Sequence, residues 1–164
     1  MIAALLLLAG CGRQEEGTAT RTGVPATTAP GDSISMADSA SAARAVAWIQ
    51  GYYRAINEHR YRDAYTHWER GGLAAGKTFD EFRKGFEETE RVDVAVVGAT
   101  GRIEGAAGSR YIEVPVRISA WTRGGERQEY SGLYTLRLSV VDGATPEQRS
   151  WHIYSAAVRQ LKRT

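Results

Sequence analysis

Apolar residues recur at helical spacing near the middle of the chain's first half. Ala42, Ala45, Val46, Ile49, Tyr52, Tyr53 and Ile56 fall on one helix face, and Arg44, Gly51, Arg54 and Glu58 fall on the other. Asp38, Ser39 and Ser41 each offer a side-chain oxygen as its N-cap. Tyr61, Ala64, Tyr65 and Trp68 repeat the i, i+3, i+4, i+7 stripe and predict a second, short helix. Gly71, Gly72 and Gly76 then break the chain. Thr78-Phe79-Asp80-Glu81 reads as a capping box that opens a third helix, with Phe79, Phe82 and Phe86 turned inward. Beyond about Glu90 the period becomes two. Val92, Val94 and Val96 alternate with more polar positions, as do Ile112, Val114, Val116, Ile118 and Ala120. Gly124-Gly125 signals a hairpin, followed by inward positions at Tyr130, Gly132, Tyr134, Leu136, Leu138 and Val140. A turn at Asp142-Gly143 leads to a last strand from about Ser150 to Leu161. Helices first and strands afterwards predict an α+β domain over 41–164, with three N-terminal helices packed on one face of a curved antiparallel sheet.

This order of elements is similar to the nuclear-transport-factor-2-like superfamily, which includes ketosteroid isomerase, polyketide cyclases and non-catalytic envelope domains. The resemblance rests on the Tyr52-Tyr53 helix, the short Tyr61 to Tyr65 helix and the Phe-rich segment Phe82-Arg83-Lys84-Gly85-Phe86-Glu87-Glu88-Thr89, ahead of a terminal sheet. It covers nearly all of 41–164 and carries no sharp motif. It implies a cone-shaped fold that is either filled or open as a pocket.

The N-terminus has a different pattern. Ile2 to Leu8 is an unbroken apolar run, too short for a membrane span of about 20 residues and suited to a signal-peptide core. Leu8-Ala9-Gly10-Cys11 resembles the lipobox of bacterial lipoproteins. The resemblance implies cleavage before Cys11, a diacylglyceryl group on its thiol and acylation of the new amino group, and two or more chains make such anchoring stable. Met1 is followed directly by Ile2, with no positively charged stretch, so the expected start lies upstream. Gly12, in place of an Asp after the cysteine, implies by the same resemblance an outer-membrane position facing the periplasm. The stretch from Cys11 to residue 40 is rich in Thr, Ala, Gly, Ser and Pro and shows no period. It cannot bury enough surface to offset its ordering entropy and reads as a disordered linker of roughly 30 Å end to end, with an O-glycosylated stalk as the alternative.

Composition narrows the function. The formal net charge is +2, and basic residues alternate with acids, as in Glu69-Arg70 and Glu90-Arg91, so no nucleic-acid partner is expected. Cys11 is the single cysteine. His59, His67 and His152 are scattered without a metal motif, and no metal or other cofactor is expected. Gly98-Ala99-Thr100-Gly101 fits a turn and matches no nucleotide loop.

Ketosteroid isomerase uses an Asp base with a Tyr and a protonated Asp as oxyanion donors. Here Tyr53, Tyr65, Trp68, Tyr134 and Tyr154 are the candidates for a pocket wall, and Asp93, Glu113 or His152 could project near one. None stands at a spacing that matches the family's catalytic set. Tyr111, Arg117, Trp121 and Trp151 are candidates for a partner surface on the sheet's outer face, because aromatic and Arg side chains dominate binding hot spots. The expectation is a membrane-anchored envelope protein with a non-catalytic module for an envelope protein, a glycan or a small ligand, with a homodimer through the sheet face among its partners. An isomerase, dehydratase or cyclase and a structural accessory of an envelope assembly are the alternatives.

Overall fold

The computed structural model describes residues 36–98 and 100–162. The expected signal peptide, Cys11 and most of the expected linker lie outside the described residues. Helix α1 spans Met36–Asn57, so the folded part starts before residue 41 and the last residues assigned to the linker are helical. Burial of Ser41 and an ion pair from Asp38 to Arg110 at 2.6 Å tie this first stretch to the sheet. Helix α2 is Tyr61–Thr66 and helix α3 is Phe79–Lys84. The capping box at the start of α3 is complete: Thr78 accepts from the Glu81 backbone N–H, and the Glu81 carboxylate accepts from the Thr78 backbone N–H.

The helix count differs from the expected three. The glycine-rich segment Arg70–Ala75 forms an additional 3₁₀ segment, kinked where Gly71 and Gly72 take positive φ. A Cβ on Gly72 would lie 2.1 Å from the Tyr65 ring, so this turn closes against an aromatic face that only glycine permits.

Five strands form an open antiparallel sheet: β1 Thr89–Val96, β2 Glu104–Ala106, β3 Ser109–Thr122, β4 Arg127–Ser139 and β5 His152–Gln160. Their order is β1-β3-β4-β5, and the short β2, absent from the sequence reading, joins β3 alongside residues 109–111. Alternation in β3 is clean. Ile112, Val114, Val116 and Ile118 are buried under the helices, while Glu113 and Arg117 are exposed on the other face. The deepest side chains are Ile49 of α1, Ile112, Val114 and Val116 of β3, Leu136 of β4 and Ile153 of β5. Each such aliphatic side chain contributes about 1.5–3 kcal/mol by leaving water.

Strand β5 breaks the period that its sequence suggests. Thr135 pairs with Ser155, but the next pair is Leu136 with Ile153, so Tyr154 is an extra residue in the strand. Before it the odd residues Trp151 and Ile153 are buried, and after it Val158 faces the helices. This parity switch corrects two assignments. Tyr154, expected in the pocket wall, is 47% exposed and packs on the outer-face Tyr111 with ring centroids 5.6 Å apart. Trp151, expected on the outer face, is buried and donates its indole N–H to the Ser41 carbonyl at 3.0 Å.

Candidate functional site

Three elements leave a cleft of about 330 Å³ between them: α1, the turn that leaves α3, and the inner face of the sheet. Its wall is largely apolar, with Phe86 from the turn, Val92 from β1, Ile118 and Ala120 from β3, and Val158 from β5. Glu88, Thr89, Thr122, Gln128 and the two tyrosines Tyr53 and Tyr130 are the polar residues of its lining. A small apolar-walled cleft with a few convergent polar atoms is the usual form of a small-molecule site.

Each lining residue is placed by a simple local rule. Tyr53 lies on the buried stripe of α1. Ile118 and Ala120 share the inner parity of β3, and Gln128 and Tyr130 sit opposite them on β4. The Asn57 side chain holds α1 to the sheet beside Val92, with bonds to both its N–H and its carbonyl at 2.8 Å. Gly132 lets β5 come close: a Cβ there would lie 2.0 Å from the Ala157 carbonyl oxygen.

Behind the cleft is a cluster of aromatic rings. The Tyr53 and Tyr134 hydroxyls are hydrogen-bonded at 2.6 Å, and Tyr52 stacks edge-on against both Tyr53 and Tyr134. Burial pushes the Tyr134 phenol up to about 12, with the bond to Tyr53 acting in the opposite direction. Tyr53 is raised well above the ordinary phenol value, first by burial and then by the neighbouring Tyr134 and Tyr52. Tyr52 is raised by burial and by Tyr134; the Trp68 indole opposes this, although its N–H is outside full hydrogen-bond geometry. All three phenols are therefore neutral at physiological pH. Tyr130 donates to Gln128 Oε1 at 2.7 Å at the cleft wall.

Of the five wall candidates, Tyr53 lines the cleft and Tyr134 is bonded directly behind it. Tyr65 and Trp68 are core residues away from the lining, and Tyr65 donates to the Lys77 carbonyl at 2.7 Å. Tyr154 is on the opposite face of the sheet, as described. The acid–base candidates are elsewhere. Asp93 is exposed and paired with Arg91 at 3.1 Å, and Glu113 is exposed on the outer face. His152 is half-buried, with Nδ1 against the Ser150 carbonyl at 3.1 Å and its ring 5.0 Å from Trp48. The carboxylate that reaches the cleft lining is Glu88, which is exposed. Tyr130 and Phe86 were legible as inward positions, whereas Gln128 carried no signal because a polar residue on the inner parity looks like a strand end.

The outer-face candidates do not form one cluster. Tyr111 and Trp121 share a face of β3 but stand about 33 Å apart along it. Trp121 lies under the guanidinium of Arg91 at 4.1 Å, with that of Arg127 at 5.4 Å. Arg117 borders a separate shallow depression with Ser119 and Lys162. Among the described residues no group of three or more His, Cys, Asp or Glu side chains is placed to hold a metal ion, and no helix is long and apolar enough to cross a membrane. No family model, curated protein or solved structure matches this chain.

Proposed function

We propose that this chain is a lipid-anchored envelope protein whose folded part is a nuclear-transport-factor-2-like domain that binds a small, largely apolar ligand in the cleft without transforming it. The lipid is on Cys11, and the protein is at the outer membrane facing the periplasm. The observation that carries the binding reading is the cleft itself. Its walls are largely apolar, burial holds Tyr53 and the Tyr134 behind it neutral, Asp93, Glu113 and His152 are all elsewhere, and the lining carboxylate, Glu88, is exposed to solvent. Neutral phenols hydrogen-bond and stack on a ligand, and a proton-abstracting group needs a carboxylate or imidazole within about 3 Å of the reacting atom.

Two experiments test this. Binding of an anilinonaphthalene sulfonate probe to the folded chain should be lost in Ala120→Trp, which fills the cleft. In Tyr53→Phe it should weaken by the value of about one hydrogen bond, 0.5–1.5 kcal/mol. Turnover of a ketone, enol or lactone that disappears in Tyr53→Phe would replace binding by catalysis. For the anchor, Cys11→Ser should leave the N-terminal peptide without lipid mass and move the protein out of the detergent phase. Unchanged partitioning would overturn the lipid reading.

A further inference from the structure

On the side of the domain away from the cleft, a groove of about 420 Å³ runs between the start of the 3₁₀ segment and the β4–β5 connection. We propose that it is a second binding site, one that takes a small hydroxyl-rich ligand bearing a carboxylate, of the acid-sugar class. Its lining is polar where the cleft's is apolar. Arg137 is the central cation. Its Nη1 meets the Glu69 carboxylate at 3.2 Å, its Nε donates to Ser109 at 2.9 Å and the guanidinium lies over the Tyr111 ring at 6.0 Å, which leaves Nη2 without a hydrogen-bond partner among the described residues. Arg70 adds a second guanidinium, exposed and with no ion pair among the described residues. Glu69 is paired with Arg137, and Arg70 and Glu147 carry opposite charges on the two walls, so the lining is balanced and a ligand carboxylate is placed at Arg70, across from Glu147. A guanidinium with free N–H groups recognises a carboxylate by paired hydrogen bonds.

Both walls of the groove are fixed by local structure. Arg70 is held at φ 57, a conformation that costs a non-glycine residue of order 1 kcal/mol or more, and it begins a run of left-handed residues with Gly71 and Gly72. Nothing in the core requires the side chain at this strained position, since Arg70 is exposed. The opposite wall is fixed by its own bonds. Thr145 and Gln148 satisfy each other's backbone N–H groups, Arg149 donates to the Ala144 and Val141 carbonyls, and the Ser139 N–H donates to the Gln148 carbonyl at 2.7 Å. The Ser139 hydroxyl and the Gln148 amide nitrogen are left without a partner among the described residues, available to ligand hydroxyls.

The test titrates the folded chain with glucuronate, glucose and inorganic phosphate, followed by backbone amide shifts at residues 69–71 and 145–148. Glucuronate should bind, with glucose and phosphate each weaker by at least about tenfold, because each lacks one half of the recognised chemistry. Arg70→Gly should weaken glucuronate by about tenfold while leaving the thermal midpoint unchanged or higher, since glycine relieves the strain. Glu147→Gln should strengthen glucuronate and leave glucose unaffected. Ala120→Trp, which blocks the cleft, should not alter glucuronate binding, so this site and the cleft stand or fall separately. Absence of glucuronate binding, equal binding of glucose or phosphate, or an Arg70→Gly variant that binds as the parent does would each overturn the proposal.

Discussion

The Asn57 side chain pairs with Val92 as a neighbouring strand would: its Nδ2 donates to the Val92 carbonyl and its Oδ1 accepts from the Val92 N–H, both at 2.8 Å. One side chain thus closes the last turn of α1 onto β1, which pairs with β3 on its other side. Asn57→Ala removes both bonds and leaves two backbone groups at the cleft edge to find water. Denaturant unfolding should show a loss of about 1–3 kcal/mol. Asn57→Asp should cost at least as much, because a carboxylate keeps the acceptor but sets a charge against the Val92 carbonyl.

The Tyr53–Tyr134 pair makes an asymmetric prediction. Either single change to Phe strands a buried hydroxyl and should cost about 1–3 kcal/mol. The double change to Phe leaves no orphan, so its cost should be well below the sum of the two singles. A double-mutant cycle by denaturant unfolding measures this coupling, and strict additivity would mean that water replaces the missing phenol.

Stability should fall on both sides of a neutral plateau. The Tyr134 pKa is raised by burial to about 12 in the folded state, against about 10 when unfolded. Its contribution is complete below pH 10 and is lost as pH rises through about 12, because the unfolded chain releases this proton first. Tyr53 and Tyr52 shift in the same direction and extend the loss upward. His67 has a lowered pKa, first through burial, with the Asp63 carbonyl opposing and His152 assisting. Its stabilising contribution is therefore present above about pH 6.5 and lost as pH falls through its folded value. Thermal midpoints from acid to strongly alkaline pH, with phenolate absorbance followed above pH 10, check both edges. Tyr134→Phe should flatten the alkaline edge.

Gly132→Ala should break the β4–β5 pairing at its middle. The added methyl would meet the Ala157 carbonyl oxygen at 2.0 Å and the Val158 Cα at 2.7 Å, and backbone atoms cannot rotate away. The expected cost is about 3 kcal/mol or more, with loss of amide protection along residues 155–160. Gly71→Asn is the control: nothing lies within 4 Å of a Cβ there, and Asn tolerates the left-handed φ of 63°. It should change the unfolding midpoint only slightly.

Much of the architecture follows from local rules acting on the sequence alone. The stripe from Ala42 to Ile56 places a helix face because a period of 3.6 leaves no other surface on which to bury those residues. The Thr78–Glu81 box positions α3 because the two side chains satisfy orphan N–H groups within one turn. Strict alternation from Ile112 to Ile118 orients β3 for the same kind of reason. Tyr53 and Tyr130 are thus assigned to the interior, and hence to the neighbourhood of a cleft, by the sequence pattern alone.

The rest depended on contacts between distant segments. The bulge at Tyr154 has no signature in β5 itself, since an extra residue is accommodated only in the register against β4, and that one residue exchanged the faces of Tyr154 and Trp151. The 3₁₀ segment formed at glycines that locally favour a break because the Tyr65 ring closes over Gly72. Helix α1 reached back to Met36 because Arg110, far along the chain, meets Asp38. The pairing of Glu69 with Arg137, and the groove beside it, arises because β5 carries the two segments together through the Trp68–Ile153 bridge. Periodicity and capping are properties of a few neighbouring residues and can be read from them. Register, bulges and ion pairs across the sheet are decided by which surfaces meet, and tertiary packing alone settles that.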